Sequence, residues 1–73
     1  MSQLSHQLVN TQCVIESIDL PEFKKIKLLG LGINTGSKIS VLRNRSGDVV
    51  IAIGNARVSI GRTMAQFLKV RVV

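Results

Sequence analysis

The sequence predicts a mostly β domain, a small SH3-like barrel of about five strands with one short helix after the first strand and a helical turn before the last. Three observations carry this. Short runs of β-branched and alternating apolar residues recur through the chain, at 13–18, 38–45, 48–53, 56–60 and 69–73. Two of the junctions, Ser46-Gly47 and Gly54-Asn55, are two-residue turn signals of the kind that close hairpins. In a chain of 73 residues, short strands joined by tight turns favour a closed or half-closed barrel, because closure removes exposed strand edges.

Each element has its own local reason. Residues 1–11 hold Leu4, Leu8 and Val9 at loose helical spacing without Gly or Pro, which predicts a loosely ordered N-terminal arm. The barrel domain is then expected over 12–73. Cys13–Ile18 is β-branched and apolar, with Glu16 and Ser17 interleaved, and reads as the first strand. Asp19–Gly30 reads as the helix: Asp19 suits the N-cap, Glu22 the reciprocal capping position, Ile18 and Phe23 a hydrophobic staple, and Pro21 the first turn. Phe23 and Ile26, with Leu29 or Leu28, recur at helical spacing and are expected to face the core, leaving Lys24, Lys25 and Lys27 outside. Gly30 suits a left-handed exit. Glycines 30, 32 and 36 mark a tightly folded connection. Ile39 and Val41 alternate against Lys38 and Ser40, and Val58 and Ile60 against Arg57 and Ser59. Gly61 breaks the pattern, residues 63–68 suit one helical turn, and 69–73 the last strand.

Composition narrows the function classes. The chain is 45% hydrophobic and 19% charged, enough apolar material for a core and too little charge for disorder. Ten basic and four acidic residues leave a net charge of +6, with a pI near 10.5. One cysteine excludes an intrachain disulfide, and Cys13 with His6 is too few ligands for a closed metal site. No run of residues approaches the ~18 apolar positions of a membrane span, and Met1–Asn10 lacks the basic and apolar regions of a signal peptide. A cytoplasmic protein that binds rather than catalyses is the expectation.

The chemistry-bearing residues point the same way. Gly30-Leu31-Gly32-Ile33-Asn34-Thr35-Gly36 follows a helix and precedes a strand, the reverse of a phosphate cradle, and lacks Gly-Lys-Ser/Thr. Asp19 and Glu22 are explained as caps and Asp48 as a turn residue, which leaves no acid/base pair. Cys13 lies in an apolar strand and His6 in the arm, so no catalytic residue, metal site or cofactor is assigned. The basic residues are either a solvated face or an electrostatic docking face. Nucleic-acid barrels add aromatic stacking platforms. Trp and Tyr are absent, and Phe23 and Phe67 fall on apolar helical positions, so nucleic-acid binding is the alternative and not the leading reading.

Residues 25–42, Lys-Ile-Lys-Leu-Leu-Gly-Leu-Gly-Ile-Asn-Thr-Gly-Ser-Lys-Ile-Ser-Val-Leu, resemble the FeoA family. Its members carry a basic helix, then Leu-Gly-aliphatic-x-x-Gly, then an alternating strand. The resemblance extends through Gly47-Asp48, the strands at 49–53 and 58–60, Arg62, Ala65 and Leu68-Lys69-Val70, covering roughly residues 13–72. The chain departs from the pattern at Thr35, where Pro is usual, and in a shortened hairpin at Ser46-Gly47-Asp48-Val49.

The resemblance implies an SH3-like barrel, a cytoplasmic location reached at the membrane through a partner, and an accessory role in bacterial ferrous iron uptake. The implied partner is FeoB, a membrane transporter with a cytoplasmic G-protein domain. On that basis Leu31 and Ile33 are expected to form an apolar contact flanked by Lys24, Lys25, Arg43 and Arg45. Their alternative role is to plug the barrel end. A module that binds transition-metal iron itself is a third reading, with Cys13 and His6 as its only candidate ligands.

Overall fold

The computed structural model describes residues 2–73. Six strands form one antiparallel sheet: β1 (Ser2–Gln3), β2 (Gln12–Ile18), β3 (Lys38–Arg45), β4 (Asp48–Ile53), β5 (Ala56–Ile60) and β6 (Leu68–Val72). A 3-10 turn (Leu4–His6) follows β1, helix α1 (Glu22–Gly30) follows β2, and the four-residue helix α2 (Arg62–Ala65) precedes β6. The strand order is β1-β6-β2-β3-β4-β5. The five anticipated strands are present. The sixth, β1, has only two residues and pairs Ser2 with Val70 and Gln3 with Lys69.

Strand alternation builds the interior directly. Cys13, Ile15, Ile39, Val41, Val49, Ile51, Val58, Ile60, Leu68 and Val70 all point inward and are buried. Register shifts near Glu16 in β2 and Leu42 in β3 bend those strands. Such bulges increase local twist and let one sheet curl around its own side chains.

The expected loose arm is instead part of the barrel. Leu4 is fully buried and joins the core, and Gln7 and Ser5 are nearly so. Asn44 on β3 explains how polar backbone survives there. Its Nδ2 donates to the carbonyls of Ser5 (3.0 Å) and Gln7 (2.7 Å), while its Oδ1 accepts from the Gly47 N–H at 2.9 Å. One amide thus ties the N-terminal segment to the β3–β4 hairpin and satisfies groups that burial would otherwise penalise. Asn10 continues the tie, donating to the Val41 carbonyl at 2.7 Å. Leu4 shares only a loose spacing with Leu8 and Val9, both of which are exposed, which is why the sequence does not mark it as a core residue.

Gly47 sits in the hairpin turn with φ +97°, and a Cβ there would lie 3.1 Å from Arg62 Cβ. Backbone shape and the close approach of α2 both require glycine.

Leu4→Ala is expected to cost about 2–5 kcal/mol, the range for truncating a buried leucine. Asn44→Ala is expected to cost about 1–3 kcal/mol by leaving buried backbone groups without partners. Urea denaturation measures both. A loosely ordered arm would give values near zero for Leu4→Ala.

Candidate functional site

Helix α1 starts later and faces the other way than its sequence pattern suggests. Asp19 does not cap it. The Asp19 N–H instead donates to the Phe67 carbonyl at 2.9 Å, which extends the β2–β6 pairing by one residue. Leu20, ahead of Pro21, is sterically biased away from helical geometry. The helix therefore begins at Glu22, with Pro21 at the N-cap and no side-chain capping bond.

The C-terminus of α1 sets its rotation. Leu31 is the C-cap, and Gly32 takes the left-handed conformation with φ +85°. The anticipated exit at Gly30 is thus displaced by two residues. The Gly32 N–H donates to the Leu29 carbonyl and the Ile33 N–H to the Leu28 carbonyl, both at 2.9 Å. This is the paired bonding of a Schellman motif, in which the residue after the glycine packs against the one five positions earlier. Those residues are Ile33 and Leu28, 1% and 2% exposed and members of one core cluster.

With Leu28 turned inward, the opposite face of α1 is in solvent. Phe23, Ile26 and Leu29 are 62%, 64% and 57% exposed, and Leu31 beyond the helix is 51% exposed. Lys24 and Lys25, expected outside, are the half-buried side of the helix, where lysine stems can lie along apolar surface with the charge in water. Of the residues expected to face the core, Phe23, Ile26 and Leu29 therefore form an exposed stripe, while Leu28, the alternative to Leu29, is buried as expected. The stripe's spacing in i, i+3, i+6 marked an amphipathic helix correctly. Leu28, two lysine stems and Ile33 occupy the inward side instead.

A small groove runs beside the stripe, lined by Ile18, Glu22, Lys25, Ile26, Leu29 and Thr35. The loop walling it is held by a turn in which the Ser37 N–H donates to the Asn34 carbonyl at 3.0 Å. Asn34 Oδ1 also accepts from the Thr35 N–H at 2.8 Å. Gly36 and Ile15 join this loop to β2 through the Gly36 N–H and the Ile15 carbonyl at 2.8 Å.

The six residues expected to form one contact face do not converge. Lys24, Lys25 and Leu31 belong to the α1 end. Ile33 is a core residue and offers no surface. It takes the plug role because the helix-ending motif directs it inward. Arg43 and Arg45 are exposed, but they lie at the far end of β3, near the hairpin. At about 3.4 Å per residue, Arg43 and Arg45 lie roughly 17 and 24 Å along the strand from Lys38, where the α1 loop enters.

No group of three or more His, Cys, Asp or Glu residues capable of holding a metal occurs among the described residues. Cys13 is buried, and burial pushes its thiol pKa up, away from the thiolate needed for ligation or attack. His6 is exposed on the 3-10 turn. Asp48 closes the hairpin turn opposite Arg45, as expected, and has a second role. It accepts from the Arg62 N–H at 2.7 Å and from Arg62 Nη2 at 3.0 Å, tying α2 to β4. Arg62, by its side-chain and then its backbone hydrogen bond, holds the Asp48 carboxyl below its ordinary value of 3.8. No helix among the described residues is long and apolar enough to cross a membrane.

Comparison with known proteins follows the same outline. The family model described as the FeoA domain matches residues 3–72. A protein of Methanocaldococcus jannaschii, provisionally named Fe(2+) transport protein A, is 34% identical over 59 residues, spanning 81% of this chain and 72% of that one. A crystal structure of an iron uptake regulatory protein, FeoA, superposes with a TM-score of 0.87 at 26% identity, covering 99% of this chain and 96% of the other. A manganese-dependent transcriptional repressor superposes with a TM-score of 0.89 at 25% identity, covering 99% of this chain but 41% of that longer one.

Because the Asp48 pKa is lower folded than unfolded, the stability it contributes is complete well above pH 3.8 and is lost as pH falls through the depressed folded value. Thermal unfolding between pH 6 and pH 2 is expected to show less acid destabilisation in Asp48→Asn than in the parent chain. At neutral pH that variant should start lower, since the ion pair is already gone.

Proposed function

The chain belongs to the FeoA family, a family of non-enzymatic accessory domains linked to Fe(2+) transport, and on that premise we propose that it docks on the cytoplasmic part of the FeoB transporter and modulates its activity. The observation that supports this most is the solvent-facing stripe of Phe23, Ile26 and Leu29, continued by Leu31. Contiguous large apolar side chains on a small monomer are a mark of an interaction surface. The stripe also has the form of a helix presented to a groove, with anchors at successive turns.

Charge assists. Lys27 is exposed beside the stripe and Lys24 and Lys25 flank its inner border, so an acidic rim on the partner would speed encounter. A binder alters a transporter only by preferring one of its states. The nucleotide bound to the G-protein domain is the natural variable, and the chain's effect on transport follows from which form it binds more tightly. Iron in this reading is the transported cargo. The chain's own residues act on the partner.

Binding of the isolated chain to the soluble part of FeoB, with and without a GTP analogue, tests the reading. Phe23→Ser with Ile26→Ser is expected to weaken binding at least tenfold, since each buried apolar side chain contributes about 1.5–3 kcal/mol. Folding stability should stay within about 0.5 kcal/mol, because both residues are exposed. Charge reversal at Lys24 and Lys25 should slow association and flatten its salt dependence. Unchanged affinity in the first variant would remove α1 as the docking face. Failure to bind FeoB in any nucleotide state, with tight salt-dependent binding to DNA or RNA instead, would replace the proposal with the nucleic-acid alternative.

A further inference from the structure

We propose that the outer edge of β5 accepts an extended acidic peptide segment as an additional antiparallel strand. β5 ends the sheet and pairs with β4 alone. The register decides which of its backbone groups are free. Gly54 and Asn55 form a two-residue loop, so the closing pair of Ile53 and Ala56 exchanges both of its hydrogen bonds inside the hairpin. Pairs then alternate. Ala56, Val58 and Ile60 direct their N–H and C=O groups to Ile53, Ile51 and Val49. Arg57 and Ser59, opposite Ala52 and Val50, direct theirs away from the sheet. No backbone bond elsewhere among the described residues uses these four groups. The edge therefore offers two donors and two acceptors, repeating every ~7 Å, which is the pattern an incoming strand pairs with.

Side chains select what pairs. Arg57 and Ser59 are exposed on the outer face, whereas Val58 and Ile60 point into the core. Residues of an added strand opposite Arg57 and Ser59 would face outward. Those between them would cover the margin of Val58. Across the outer face, Ser59, Val50 and Arg43 stand in one register row, and Arg43, Arg45, Val50, Ser59 and Ile60 line an open groove beside the edge, together with Asp48, whose charge is paired with Arg62. The ion pairs found among the described residues are Asp48–Arg62 and Glu16–Arg71, so Arg57 and Arg43 have no carboxylate partner there. A carboxylate on the added strand opposite Arg57 would supply one.

The same charge argues against a second copy as the occupant. Two β5 edges meeting would bring Arg57 near its own counterpart, and each chain carries +6. Like charges on paired strands are unfavourable, and a charged residue on an edge is a common guard against self-pairing. The segment that fits alternates polar and apolar residues, with Asp or Glu opposite Arg57. None of these residues belongs to the α1 stripe, so the inference stands or falls separately from the transporter reading.

Titration of the full chain, 15N-labelled, with the end-blocked peptide Thr-Val-Glu-Val-Thr-Val-Glu tests it. The expected result is amide shifts centred on Arg57 and Ser59, with slowed hydrogen exchange at those two N–H groups. A peptide with Lys in place of Glu should bind at least about fivefold more weakly, and Arg57→Glu should reverse that preference. N-methylation at the Thr and Glu positions should abolish binding, while N-methylation at the Val positions should be tolerated. Shifts centred on α1, or binding that survives methylation at Thr and Glu, would overturn the proposal. Protection of the Arg57 amide at high protein concentration without peptide would assign the edge to a second copy. The same shifts with a short DNA duplex would assign it to phosphate.

Discussion

The contact between Leu28 and Ile33 governs the functional architecture of this chain. Two backbone hydrogen bonds at the end of α1 bring these residues together and bury both. Once Leu28 points inward, a helix of 3.6 residues per turn has no rotational freedom left. Phe23, Ile26 and Leu29 are then carried outward, and Lys24 and Lys25 fall on the half-buried side. Burying a phenylalanine or isoleucine is worth about 1.5–3 kcal/mol, so the outward stripe forgoes several kcal/mol that the fold could use. The interior has no place for it. The inward rows of the strands already fill the barrel, and each appended element contributes only one or two side chains: Leu4 from the N-terminal turn, Leu28 from α1, Ile33 from the loop and Ala65 from α2.

The strands were legible because their signals are local. Alternation in 38–45, 48–53 and 56–60 and the turn pairs at 46–47 and 54–55 locate β3, β4 and β5 residue for residue, and β2 and β6 within one residue. The facing of α1 was not legible from periodicity. Phe23, Ile26 and Leu29 form the more apolar stripe, but Lys24, Lys25 and Leu28 form an equally regular one, and periodicity carries no sign. The discriminating signal lay at the helix end: an aliphatic residue four positions before a glycine, with another just after it, is the sequence form of the motif that pins Leu28 to Ile33. Leu31, between them in sequence, is left outside by the same geometry.

Long-range polar ties were illegible for a different reason. Asn44 looks like an ordinary hairpin residue, yet its amide supports carbonyls 37 and 39 positions away. Asp48 looks like a turn residue, yet it holds the first turn of α2 through Arg62, 14 positions on. Both ties cross the open side of the sheet, between the β3–β4 hairpin and the segments that lie over it. They do for the barrel what strand pairing does elsewhere, using side-chain groups because β1 and β5 are not bonded to each other. The six residues expected to form one contact face are spread over the fold on related grounds. Lys24, Lys25, Arg43 and Arg45 share a charge, and charge alone says nothing of how far a strand separates its two ends.

The α1 stripe and the β5 edge recognise different things. The stripe presents side chains and suits a preformed apolar groove. The edge presents backbone and suits a segment with no structure of its own, with Arg57 supplying the preference for acid. The α1 loop leads into β3, and β3 pairs through β4 to β5, so one run of bonded strands connects the helix to the edge. Their separation is therefore set by the fold. A partner carrying a groove and an acidic tail at a matching spacing would engage both, and the second contact would form at the high effective concentration that the first creates. Two individually weak contacts would then discriminate sharply among partners, because a protein that fits one surface alone gains none of that advantage. Dividing recognition between a helix and a strand edge would then supply a specificity that neither surface has alone.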